Sequence, residues 1–205
     1  MATTTFNGPV RSEKGFQQIS KAANGTITVT SGDKMATEAT GGAGIEGTAA
    51  VYVTQVTRLK SDVTTNVNIV KTTIMIDLTG LKDGGTAGDI IGKDGSGVAF
   101  IGKVTTANQG SVFGVTMTCV ETPAGGSTDI DLFSATEGTG VNDTAIGDLT
   151  ETQIINAGAA SAGTMVAGGD IAADQFLYLV SQGTGDATYT AGRFLIEITG
   201  FDVAS

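Results

Sequence analysis

Hydrophobic and polar residues alternate with a period of two over much of this chain, which is the spacing of a β-strand with one buried face. The clearest case is residues 68–81, where Val70 and Ile74 fall on one side and Lys71 and Thr73 fall on the other. Because β-branched residues also favour strands, this segment predicts a half-buried strand.

Other segments predict strands by the same alternation or by their β-branched content, and clusters of turn residues separate them. They are residues 26–30, 50–59, 89–92, 98–104, 111–122, 129–134, 150–155, 175–181 and 193–201. Residues 157–173 are almost all small, which predicts either a long loop or a strand packed closely against a neighbour. We find no convincing amphipathic helix.

Short strands separated by turns about every 8–12 residues are typical of antiparallel sandwiches and barrels. We therefore predict an all-β fold, an antiparallel β-sandwich that is jelly-roll-like, over residues 49–205. Residues 1–48 carry little periodicity, and we predict an extended N-terminal arm with short strands there. An immunoglobulin-like sandwich with a small β-subdomain is the alternative.

Composition narrows the chemistry available to the chain. Its 205 residues include no histidine, no tryptophan and one cysteine, but 31 glycines. Without histidine there is no Ser-His or Cys-His pair and no imidazole metal site. Cys119 has no disulfide partner in the chain, and its apolar neighbours predict a buried position. We predict no enzymatic activity, no catalytic residue, no cofactor and no metal.

Carboxylates are the remaining candidates for chemistry. Asp129 and Asp131 lie two positions apart on a predicted strand and share a face, although spacing alone is weak evidence for a glycosidase acid and base. Sugar-cleaving clefts also need aromatic platforms, and the chain has three tyrosines and eight phenylalanines. Residues 138–148 add loop carboxylates, so calcium binding is an alternative to ordinary turn residues.

Charge is spread unevenly along the chain. The net charge is −10, with a balance of +2 over residues 1–60 and −12 over residues 61–205. An acidic body repels phosphate, which predicts no nucleic-acid partner. No apolar run approaches the roughly 18 residues that span a bilayer, and the first residues lack the apolar region of a signal peptide. We predict no membrane partner.

Five short sequence stretches, spread over nearly the whole chain, resemble those of known proteins. They are Phe6 to Glu13 (FNGPVRSE) with Gly15 and Phe16, MIDLTGL at 75–81, GDIIG at 88–92, CVETPAGG at 119–126 and FLYLV at 176–180. Together they resemble small virion proteins of tailed phages of marine bacteria. No catalytic motif accompanies the resemblance.

The resemblance implies a non-enzymatic virion structural protein on the capsid surface, a decoration or cement protein. Its expected partners are the major capsid protein and further copies of this chain, as a homotrimer or a dimer. The chain does not resemble a major capsid protein of the usual tailed-phage type, because it lacks the long spine helix. Symmetric assembly multiplies weak contacts, which suits such a role.

The arm is the part that we expect to clasp the capsid or an adjacent subunit. The expected contact residues are Phe6, Arg11, Lys14, Phe16 and Lys21, of which the three basic ones would face an acidic capsid surface. The alternative function is a carbohydrate-binding module on a phage tail or fibre, used for host recognition. That alternative requires exposed aromatic side chains on loops, and Tyr189 is the best candidate in the C-terminal loops.

Overall fold

A computed structural model describes residues 18–21, 27–31, 41–45, 51–59 and 66–204 of the chain. The chain divides into two compact units, Met1–Met35 and Ala36–Ser205. The described part is almost entirely β-structure, which confirms the predicted all-β class.

The first unit contains an antiparallel pair of strands, β1 (Gln18–Lys21) and β2 (Ile27–Ser31). The register pairs Lys21 with Ile27 at the end nearer the connection. The strand β2 matches the strand predicted over residues 26–30. The Asn24-Gly25 turn signal lies outside the described residues.

The second unit contains two antiparallel sheets. We call sheet I the one with strand order β10-β7-β12-β4-β3, and sheet II the one with order β5-β11-β8-β9, in which β6 also pairs with β11. The strands of sheet I are β3 (Val51–Leu59), β4 (Asn66–Asp77), β7 (Ser111–Ala124), β10 (Met165–Gly168) and β12 (Ala191–Ala204). Those of sheet II are β5 (Asp89–Ile90), β6 (Gly102–Lys103), β8 (Ile130–Ala135), β9 (Glu151–Ile155) and β11 (Phe176–Ser181).

The strand β12 lies at the centre of sheet I, between β7 and β4. Its residues Phe194, Ile196 and Ile198 are buried, while the residues between them are more exposed. The predicted alternation of β4 is confirmed, since Val70 and Ile74 on its inner side are buried. Period two therefore assigned the two faces of these strands correctly.

The two sheets share one hydrophobic core, which gives a β-sandwich. The jelly-roll arrangement stays a prediction. The strand β8 of sheet II is covered on both sides, since all six of its residues are buried, whereas the edge strand β9 is largely exposed. One cover is the segment 136–149, where Gly140 contacts Ile90 and Tyr178 so closely that a Cβ atom would lie 2.5 Å from Ile90 Cδ1.

Three segments differ from their sequence-based prediction. Residues 98–104 form only the short strand β6, preceded by an isolated bridge between Val98 and Val141. The strand β7 continues through Pro123, which is tolerated because β10 pairs only with residues 115–118 and leaves that side of the strand end free of a ladder partner. Residues 106–109 form a short helix, α1 (Thr106–Gln109).

Two small-residue segments pack closely in the second unit. Residues 157–173 contain β10, where a Cβ atom on Gly168 would lie 2.3 Å from the Ile154 carbonyl oxygen, so the prediction of a closely packed strand holds there. Residues 41–45, within the predicted arm, donate backbone hydrogen bonds to Val98 and Phe100 and bury Ile45. Among the described residues, no helix is long and apolar enough to cross a membrane.

Candidate interaction surface

The outward side of sheet I, which we call the outer face, carries the exposed hydrophobic side chains of the described residues. They are Met75 on β4, Phe113 and Val120 on β7, Met165 on β10 and Phe201 on β12, with exposures of 44%, 54%, 45%, 62% and 38%. No described strand of sheet II carries a large hydrophobic side chain of this kind. The two sides of the sandwich therefore differ in what they present to solvent.

Strand register brings several of these residues into one row across sheet I. Met165 pairs with Thr118, Thr118 with Leu195, and Leu195 with Met75. The next register position, on β3, is Val51. Side chains that are opposite each other in antiparallel strands lie about 4.5–5.5 Å apart at Cβ. The row is thus continuous across the strands, and Thr118 is the only polar residue in it.

Two irregularities in the pairing of β7 with β12 add hydrophobic residues to the outer face. One lies between Arg193 and Phe194, opposite Val120, and the other lies between Thr199 and Gly200, opposite Phe113. A bulge inserts an extra residue and breaks the alternation. This explains why Phe113 is exposed, although its spacing from Val115 predicts the same face. The rings of Phe113 and Phe201 lie 6.3 Å apart between centroids.

The described charged side chains on the outer face form one ion pair and one cluster in which an arginine lies between two carboxylates. Lys71 pairs with Glu197 in the middle of the sheet. At one end, Arg193 Nε lies 2.9 Å from Asp77 Oδ2, and its Nη1 lies 3.5 Å from Glu121 Oε2. Hydrogen bonds from Thr79 and the Arg193 guanidinium hold the pKa of Asp77 below its ordinary value. The described charges of the face therefore sum to only −1.

In contrast to these exposed hydrophobic residues, some carboxylates are buried in the protein interior. Asp83 is 1% exposed, and its two oxygens accept hydrogen bonds from the backbone N–H groups of Ser127 and Ala187 at 2.8 and 2.7 Å. Buried polar groups need such partners because an unpaired one costs free energy. Asp83 thus ties three loops together.

The two aspartates of the predicted carboxylate pair have different surroundings. Asp131 is buried and accepts hydrogen bonds from Gln153 Nε2, Gln182 Nε2 and the Ala157 backbone N–H, at 2.8, 2.9 and 2.8 Å. Asp129 is half-buried, and its Oδ1 is buried without a hydrogen-bond partner among the described residues. Burial and the neighbouring Asp131 raise the pKa of Asp129. Asp131 has the surroundings of a structural carboxylate.

The other loop carboxylates also serve the loops themselves. Asp143 accepts a hydrogen bond from the Gly85 N–H at 2.9 Å, and Glu137 accepts two from Thr150 at 2.9 and 2.8 Å. Those bonds from Thr150 hold the pKa of Glu137 below its ordinary value. Within the described ranges, no group of three or more histidine, cysteine, aspartate or glutamate side chains is placed to hold a metal ion.

Of the five expected arm contacts, only Lys21 lies in the described part, as the last residue of β1. The others, Phe6, Arg11, Lys14 and Phe16, lie outside the described residues. Cys119 is buried, as predicted, and burial raises the pKa of its thiol.

The expectation that Tyr189 is an exposed loop aromatic is wrong. Its side chain is 1% exposed and its hydroxyl donates a hydrogen bond to the Ser127 carbonyl oxygen at 3.1 Å. The loop that carries Tyr189 folds back onto the sandwich, and burial raises the pKa of the phenol strongly.

Sequence reasoning missed the outer face, although a signal for it was present. Met75, Val120 and Leu195 occupy positions that alternate with core residues and should be polar on a solvated face.

Comparison with known proteins identifies no relative: no protein family, no curated protein and no solved structure matches the chain.

Proposed function

We propose that this chain is a non-enzymatic virion structural protein, a capsid decoration protein that stabilises the phage head through its arm and through symmetric subunit contacts. The observation that carries the proposal is the outer face of sheet I, which exposes five large hydrophobic side chains in the described residues. Exposed hydrophobic side chains that are grouped on one face of a protein mark an interaction site more often than scattered ones do.

Two further properties support a structural role. Most of the excess acidic charge lies away from the outer face, because the chain carries −10 overall while the described charges on that face sum to −1. An acidic exterior keeps particles apart in solution. The loops are fastened by Asp83, Asp131 and Tyr178, whose hydroxyl donates to the Glu137 carbonyl oxygen at 2.8 Å. A rigid domain with one exposed hydrophobic face suits a protein that packs into a shell.

The finer parts of the proposal extend the sequence resemblance. The sandwich is a jelly roll, the partner is the major capsid protein, and the location is the outer surface of the head. The arm over residues 1–48 makes the capsid contact through Phe6, Arg11, Lys14, Phe16 and Lys21.

The copy number of this chain per major capsid protein in purified particles tests the role directly, by quantitative mass spectrometry. A ratio near the lattice stoichiometry is expected, because decoration proteins occupy repeated sites. A few copies per particle would instead favour the tail or fibre alternative and reopen sugar binding. Complete absence from the particle would reject a virion role.

Deletion of residues 2–24 tests the arm. We expect the shortened chain to lose binding to particles that lack the protein, while its circular dichroism and melting temperature stay close to those of the full chain, since the core belongs to the second unit. Capsid binding at full strength by the shortened chain would contradict the role of the arm.

A further inference from the structure

We infer that the outer face of sheet I binds the same face of a second copy of this chain, in a two-fold symmetric dimer. The inference deepens the proposed structural role, on which it rests, by naming the partner of one surface. Three properties of the face support it: its size, its charge and the arrangement of its polar centre.

The size of the face matches what a stable dimer needs. With strands about 4.8 Å apart and a rise of about 3.3 Å per residue, the five strands present roughly 800 Å². A standard specific interface buries about 800 Å² on each partner. Aligned sheets also pack face to face readily, as they do inside a β-sandwich. The face is therefore large enough to be one half of an interface.

The charge of the face favours a copy of the chain over a charged ligand. Two copies that each carry −10 repel one another, so a contact between them requires a surface that adds no further repulsion. The described charges of the outer face are Lys71 and Arg193 against Asp77, Glu121 and Glu197, a sum of −1, and each lies within 4 Å of an opposite charge. A face so nearly neutral offers no attraction to a nucleic acid or to an anionic lipid surface.

The polar centre of the face is self-complementary. Lys71 and Glu197 lie between the row that contains Leu195 and Met75 and the ring pair of Phe113 and Phe201. A two-fold axis that runs through the centre of the face, in the plane of the interface, brings the two Lys71–Glu197 pairs close together, with hydrophobic side chains of both copies on either side of them. Opposite charges of the two copies then meet without an unpaired charge at the interface.

Sedimentation velocity on the purified full chain, over a series of concentrations, tests the inference. We expect a species of twice the 20.5 kDa chain mass that dissociates on dilution. The substitution Met75→Glu should weaken dimerisation by on the order of 100-fold, because in a two-fold interface each substitution occurs twice and buries two unpaired charges. Met75→Leu should retain the dimer.

Two variants keep the test decisive. Thr152→Glu adds the same charge at an exposed strand position of sheet II and should leave the dimer unchanged. If Met75→Glu does not fold, Met165→Glu on the edge strand β10 replaces it, since Met165 is the most exposed of the five hydrophobic residues. A wild-type chain that is monomeric at every concentration, or equal weakening by Thr152→Glu, overturns the inference.

The outcome also separates this inference from the proposed function. A monomeric chain that is present on particles at lattice stoichiometry would assign the outer face to the capsid and reject the dimer alone. A dimer that is sensitive to Met75→Glu, formed by a chain that no particle contains, would support the dimer and reject the virion role.

Discussion

The outer face of sheet I and the loop-covered side of sheet II reverse the usual placement of polar and apolar groups. The outer face leaves Met75, Phe113 and Met165 in solvent. The loop-covered side buries Asp131, and the loops around Ser127 and Ala187 bury Asp83, each with 1% of its surface exposed. In both places the side chain departs from the position that its hydrophobicity alone would give it.

The difference indicates which region stabilises the fold and which region is a candidate for binding another molecule. Every buried oxygen of Asp83 and Asp131 has a donor within the chain, so these carboxylates stabilise the fold. The exposed apolar side chains of the outer face do not stabilise the fold. Burying them against another surface would lower the free energy of the system. Acidic loops are thus structural here, and the sheet face is the binding candidate.

The sharpest way to break this comparison is to place threonine at two neighbouring positions of β4. Ile74→Thr should reduce the free energy of unfolding by about 2–4 kcal/mol, because it removes buried apolar volume and buries a hydroxyl. Met75→Thr should change it by less than about 0.5 kcal/mol, because Met75 is 44% exposed. Urea denaturation, at a dilution where the chain is monomeric, measures both values.

Equal losses at the two positions would contradict the assignment of an inner and an outer face to β4. A large loss for Met75→Thr alone would show that the outer face is covered within a single chain.

The second test addresses the buried carboxylates. Asp83→Ala should reduce the free energy of unfolding by about 2–3 kcal/mol, because it leaves the buried N–H groups of Ser127 and Ala187 without an acceptor. Asp94→Ala is the matched control: that carboxylate pairs with Lys82 at 3.4 Å at the surface, and its removal should cost less than about 0.5 kcal/mol. Similar losses for both variants would show that Asp83 does not fasten the loops.

The smallest expected effect concerns Asp129. Because its pKa is raised in the folded protein, the folded state binds protons more readily than the unfolded chain, and the ionised form costs stability at neutral pH. Asp129→Asn should therefore raise the free energy of unfolding at pH 7 by at most about 1 kcal/mol. The gain should shrink as the pH falls through the raised pKa towards the ordinary value of 3.8.

Chemical denaturation of the wild-type chain and of Asp129→Asn at several pH values measures this difference, and most other titrations cancel in it. Asp170→Asn, at an exposed carboxylate, is the control and should leave stability unchanged. A destabilised Asp129→Asn variant at neutral pH would indicate that the Asp129 carboxylate has a favourable partner.

Much of the fold was predictable from local pattern. The strands β4, β7 and β12 follow from alternation, because a strand's two faces are set by the backbone geometry of successive residues. The buried position of Cys119 followed in the same way. Phe113 escaped the pattern because its exposure depends on a bulge against β12, and that irregularity is a property of two strands rather than one.

The candidate interaction surface was only partly predictable. Hydrophobic residues at nominally polar positions of β4, β7 and β12 were visible in the sequence, but each looked like an isolated exception. The register joins Met165, Leu195 and Met75 into one row, and the register is decided by pairings between segments far apart in the chain. A row of this kind has no signature within any one segment.

The sequence by itself determined an all-β chain, the inner faces of its main strands and the scarcity of catalytic side chains, because these depend on composition and on neighbours along the backbone. The tertiary structure alone decided which outer face stays uncovered. Segments from distant parts of the chain bury Asp131 on sheet II and bury Tyr189 against Gly126 and Ser127, while the described residues leave the outer face of sheet I open. Whether a carboxylate is structural or reactive, and whether a sheet face is exposed or part of the core, depends on long-range packing. The local period of the sequence does not encode that packing.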